Sequence, residues 1–126
     1  MPRRKTNCYE IPVELGSHFL YLIIAPDEKS ADNYIRKKFN VPIEHTSSEE
    51  SGAYFAGNYN QLFVYFPKNR SLDYLVHELV HVKTYMVNRM GTVLDEEGEA
   101  YLMQMLYLKV VTKLIEIGYV KITYGK

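Results

Sequence analysis

Between Ser71 and Gly118 the chain carries two long stretches of helical periodicity separated only by GTVL at 91–94. In the first, Leu72, Leu75, Leu79, Val82 and Met86 recur at three- and four-residue spacing and define one apolar face. Ser71 is a good N-cap, Asp73 is favourably placed in the first turn, and Gly91 follows Met90 where a helix commonly stops. The second stretch begins near Asp95 and runs through Met103, Leu106, Val110, Leu114 and Ile117 to Gly118. Two amphipathic helices joined by a tight turn form a helix hairpin that needs an apolar surface to cover.

The preceding residues supply that surface. HFLYLIIA at 18–25 is a dense β-forming run that reads as a buried strand, stopped by Pro26 and Asp27. DEKSADNYIRKKFN reads as a polar-faced helix ending near Asn40, and EHTSSEES at 44–51 as a polar loop. GAYFAG and QLFVYF flank Gly57, Asn58, Tyr59 and Asn60, a hairpin signal with Gly and Asn where positive φ is expected. YVKITY at the end is a candidate short strand. The expected class is α+β: a short mixed sheet with one helix, then two long helices.

A length of 126 residues suits about one domain, 1–126, and 47% apolar content is ordinary for a globular chain. Fifteen basic side chains balance fifteen acidic ones, which argues against a nucleic-acid or membrane-surface partner. The basic start, MPRRKTN, reads as a solvated tail over about residues 1–7. Cys8 is the single cysteine, so no internal disulfide and no cysteine-rich zinc module is expected. No signal-peptide order of regions is present, and FLYLIIA is far short of the roughly 20 residues that span a bilayer. A reducing, cytoplasmic setting is the expectation.

Inside the first helix lies HELVH at 77–81. His77 and His81 stand at i and i+4, about one turn apart on one face, and two residues (about 200°) away from Leu75 and Leu79. That spacing lets two imidazole nitrogens reach one zinc ion at ~2.0–2.1 Å. Glu78, about 100° from His77, is poorly placed to ligate the same ion but can reach a water bound to it. There it would act as general base. The plainer reading is a helix segment without metal.

A catalytic zinc usually has three protein ligands and one open position. The chain has four histidines and none follows His81, so a third histidine downstream is ruled out. Asp95, Glu96, Glu97 and Glu99 remain at the start of the second helix, with Glu116 too far along it. In EGEAY, Glu97 is followed by glycine at +1 and alanine at +3, small residues that suit a close helix crossing. Glu99, directly before Ala100, is the runner-up.

HELVH, a fifteen-residue gap and then EGEAY resemble the gluzincin metallopeptidases, in which HExxH is followed by Glu in an Exx(A/S) setting. The chain is also similar to minimal single-domain gluzincins and to small metallopeptidase-like proteins of bacteriophages and prophages. The resemblance covers roughly residues 50–115, and the first fifty fit loosely. It implies a small zincin-like domain with one zinc per chain, His77, His81 and Glu97 as ligands, and Glu78 as catalytic base. Many gluzincins carry an aspartate four residues after the ligand glutamate, supporting a histidine; here that position is Tyr101. No single tyrosine of the twelve stands out as the oxyanion stabiliser.

His18 beside a strand and His45 in a polar loop read as structural or solvated, as do the tyrosines along both hairpin strands. Cys8 could ligate zinc from a folded-back N-terminus, but an idle, partly buried thiol is the better reading. The expected activity is zinc-dependent hydrolysis of a peptide or protein substrate, held in extended form along a sheet edge. Two alternatives stay open: an inactive metallopeptidase scaffold used as a binding or regulatory module, and hydrolysis of a non-peptide amide.

Overall fold

A computed structural model describes residues 6–13, 18–40, 53–67, 71–90 and 94–120. The elements run β1 (Asn7–Ile11), β2 (Phe19–Ile24), α1 (Glu28–Phe39), β3 (Tyr54–Asn58), β4 (Gln61–Tyr65), α2 (Leu72–Met90) and α3 (Glu96–Glu116). The α+β class expected from the sequence is the class observed. Four strands form one mixed sheet in the order β1-β2-β4-β3. β2 and β4 pair in parallel at its centre, and β1 and β3 lie antiparallel at the two edges.

Period-two alternation sorts the side chains to the two faces of this sheet. Leu20 and Leu22 of β2, Leu62 and Val64 of β4, and Phe55 of β3 point to one face, where α2 and α3 bury Leu75, Leu79, Val82, Met86, Leu102, Leu106, Val110 and Leu114 against them. Ile23, Phe63, Tyr65, Tyr54 and Ala56 point to the other, where α1 contributes Ala31 and Ile35. The central strands are covered on both sides, which is why HFLYLIIA reads as a near-continuous apolar run. α2 packs over β3 and β4, and α3 reaches across to β1.

Local signals set the helix ends. Asp27 Oδ1 accepts the Ser30 N–H at 2.7 Å, and Asn40 closes α1 in the left-handed region at φ 53°. Asp95 Oδ1 accepts the Gly98 N–H at 2.7 Å and begins α3. A Cβ at Gly98 would stand 3.1 Å from that same oxygen, so the cap gives the glycine its local reason. Gly118, at φ 76°, ends α3, with the Tyr119 N–H donating to the Leu114 carbonyl at 2.9 Å.

Some expectations need correction. β1 is a strand without a clear sequence signal: NCYEI has one fully buried residue, Ile11, and its pattern is that of an edge. In the β3–β4 turn, positive φ falls on Tyr59 (55°), not on Gly57 or Asn58. Tertiary contacts hold Tyr59 there, since Tyr85 Oη donates to its carbonyl at 2.7 Å and the Arg89 guanidinium lies 5.6 Å from its ring centroid. The polar loop at 44–51, His45, Gly91 and residues 121–124 of the candidate last strand lie outside the described residues.

Gly57 has a different constraint. A Cβ there would meet Tyr85 Cε2 at 2.7 Å and Phe55 Cζ at 3.1 Å. The Tyr85 ring is pinned by its hydroxyl and by Phe55, 5.6 Å away edge-on, so it has little freedom to retreat. Gly57→Ala is expected to destabilise the fold by about 1–3 kcal/mol, read from the denaturant midpoint. A change within ~0.5 kcal/mol would mean the ring gives way without cost.

Candidate metal centre and its surroundings

α2 presents opposite faces as its spacing requires: Leu75, Leu79, Val82 and Met86 are buried, and His77 and His81 are exposed. The two imidazoles meet edge to face, with centroids 5.0 Å apart and planes at 79°. They therefore stand together on the surface as the i, i+4 spacing predicts. Glu78 lies on the flank between this face and the core. It is only 4% exposed and is engaged by a neighbouring group. Burial restricts the orientation of its side chain, which suits a group that must meet a reacting water in one geometry.

β3, the outer strand on this side of the sheet, packs on α2. Phe55 of β3 lies parallel to the His81 ring, at 6.4 Å between centroids and 14° between planes. The histidine face thus borders β3, an edge strand of the sheet among the described residues. Val76 and Val80, also exposed, occupy the same outer part of α2.

The acidic candidates on α3 are distributed differently. Glu99 faces α2, where its Oε1 pairs with Lys83 Nζ at 3.1 Å. Lys83 is two residues past His81, hence about 200° round the helix, so the pair sits on the flank of α2 away from the imidazoles. Glu97, a further 200° from Glu99 on α3, is exposed. Asp95 is occupied as the cap, and Glu96 lines a shallow groove with Lys83, Glu99, Ala100 and Met103. Among the described residues no three His, Cys, Asp or Glu side chains are grouped closely enough to share one ion. The donor chemistry of the histidine pair fits zinc, and no third donor among the described residues is gathered to it.

The remaining candidates separate from the centre. His18, before β2, is buried with Nδ1 lacking a hydrogen-bond partner among the described residues. Burial, then the positive charge of Arg89, lowers its pKa, which keeps the imidazole neutral. Arg89 is eight residues beyond His81, about 12 Å along α2, so His18 belongs to the far end of that helix. Burial, with the Asp32 carboxylate beside it, pushes the Tyr54 phenol far above its usual range and leaves it neutral on the α1 face. Tyr85 is the tyrosine one turn after His81, and its hydroxyl is committed to the Tyr59 carbonyl.

Cys8 packs with the α1 cluster, on the face of the sheet opposite α2. It is not placed to approach the histidines. Burial pushes its thiol up to about 11, against a smaller lowering by Lys38 and with a small rise from Glu10. Because the thiolate is the reactive form, alkylation by iodoacetamide is expected to be slow at neutral pH and to climb about tenfold per pH unit towards 11. A rate that levels off near the ordinary thiol value of about 8.5 would contradict the buried placement.

No helix among the described residues is long and apolar enough to cross a membrane. No protein-family model matches the chain, and no curated protein or solved structure does either.

Proposed function

We propose that this chain is a zinc-dependent hydrolase, a metallopeptidase of the gluzincin type acting on peptide or protein substrates in a reducing, cytoplasmic setting. The observation that carries the reading is the exposed His77–His81 pair, with Glu78 buried beside it and β3, an edge strand among the described residues, alongside. His77 and His81 would hold the metal. The third ligand would come from the first turn of α3: Glu97 by the family pattern, or Glu99, which already faces α2. Bound zinc polarises a scissile carbonyl and lowers the pKa of a coordinated water.

The protein's own groups do the rest. Glu78 accepts the proton of the attacking water and returns it to the leaving amine. The outer edge of β3 offers backbone N–H and C=O groups to an extended peptide, giving affinity with little sequence selectivity. Phe55 and Val80 border that path with apolar surface.

One observation favours a second reading. Glu99 is satisfied by Lys83 while Glu97 faces solvent, an arrangement that a metal-free binding module could also keep. Incubating the zinc-reconstituted chain with an unfolded protein substrate, with and without 1,10-phenanthroline, separates the two. Cleavage abolished by the chelator and restored by zinc supports the hydrolase. Stable binding of the polypeptide without cleavage supports the module, and cleavage of small amides alone would move the substrate class away from peptides.

A further inference from the structure

The hydrogen-bonding partners that usually orient a metal-ligating histidine are missing here among the described residues. The position where many gluzincins carry a supporting aspartate is Tyr101, which is 64% exposed. What His81 has is Phe55. The two rings are nearly parallel, and their separation lies within the roughly 4.5–7 Å over which offset aromatic stacking is favourable.

Phe55 is itself held on three sides. Its backbone is fixed by the register of β3 against β4, opposite Val64. The Tyr85 ring abuts its own ring at 65°, and Tyr85 is anchored through its hydroxyl to the Tyr59 carbonyl. Gly57 lacks the side chain that would push Tyr85 out of this position. The β3–β4 hairpin therefore ends in a braced aromatic wall against the imidazole of His81.

We propose that Phe55 is a positioning residue for His81, substituting a stacking contact for the hydrogen bond that ordinarily orients such a ligand. The inference rests on the reading of His81 as a metal ligand. An imidazole on a helix surface rotates about two side-chain torsions, and only a narrow range of them aims one nitrogen at an ion shared with His77. A flat neighbour on one side removes part of that freedom before the metal arrives, so less order has to be imposed on binding. Loss of orienting partners of this kind weakens metal binding by roughly 10–100-fold. A single stacking contact belongs at the lower end.

The test compares the full native chain with Phe55→Leu, Phe55→Met and Phe55→Tyr. Zinc affinity is measured by competition with a chromophoric chelator, and the His81 ring resonances are followed by NMR in the metal-free protein. The two aliphatic variants are expected to weaken zinc about tenfold and to lose the ring-current shift at His81. Phe55→Tyr should keep both. Unfolding midpoints identify any variant that fails to fold, and methionine, close to phenylalanine in volume, stands in if leucine does so. Native affinity in a folded aliphatic variant overturns the inference while leaving the metal reading intact. A native chain that takes up no zinc overturns both.

Discussion

Glu78→Gln is expected to keep zinc bound while hydrolysis falls by roughly 100- to 10,000-fold, the usual contribution of a positioned general base. Glutamine preserves the shape of a side chain that is 4% exposed, and its amide oxygen can still accept a hydrogen bond. What it cannot do is take a proton from water. Zinc content and turnover of the purified variant read the two effects separately. Retained hydrolysis would remove Glu78 from the chemistry, and loss of zinc would make it a ligand or a structural support.

The second large effect is on stability. Leu79→Ala removes a fully buried side chain from α2, where Leu79 packs with Leu75, Val82 and Met86 against the sheet and α3. Deletion of a buried leucine side chain costs about 2–5 kcal/mol, the spread reflecting how far the site collapses. The midpoint of urea unfolding should drop accordingly, with the slope unchanged. Val80→Ala, one residue along at 42% exposure, should stay within about 0.5 kcal/mol of the native chain. Equal effects from the two would mean that α2 does not present the faces described.

The helical half of the fold was legible because burial follows a 3.6-residue period over five turns. Leu75, Leu79, Val82 and Met86 occupy the buried face as their spacing predicts, with Leu72 half-buried at the start. In α3, Leu106, Val110 and Leu114 behave likewise, and Leu102 is buried one turn earlier. β2 was visible as an apolar run because both faces of the central sheet are covered. β1 was not, since an edge strand of five residues with one buried side chain leaves almost no pattern. The positive φ at Tyr59 was also hidden: turn chemistry favoured Gly and Asn, and the decisive contact comes from Tyr85, 26 residues away.

The candidate site divides along the same line. Within one helix, rotation alone places His77 and His81 together and sets Glu78 to the side, so that part could be read from five letters. Whether Glu97 or Glu99 faces α2 depends on how two helices dock, which no local spacing encodes. The Lys83–Glu99 ion pair is the structural fact that bears on it. Phe55 beside His81 depends on which hairpin strand takes the edge of the sheet, and the sequence left that undecided. β3 takes it.

The most direct measurement is the zinc content of the purified chain by elemental analysis, taken beside His77→Ala, Glu97→Ala and Glu99→Ala. The expected result is about one zinc per native chain, lost in His77→Ala and in Glu97→Ala and retained in Glu99→Ala. Loss on Glu99→Ala in place of Glu97→Ala would keep the hydrolase and move the third ligand to the glutamate that already faces α2. A native chain that carries no zinc, even after unfolding and reconstitution with the metal, would contradict the account and leave HELVH as an ordinary turn-and-a-half of helix.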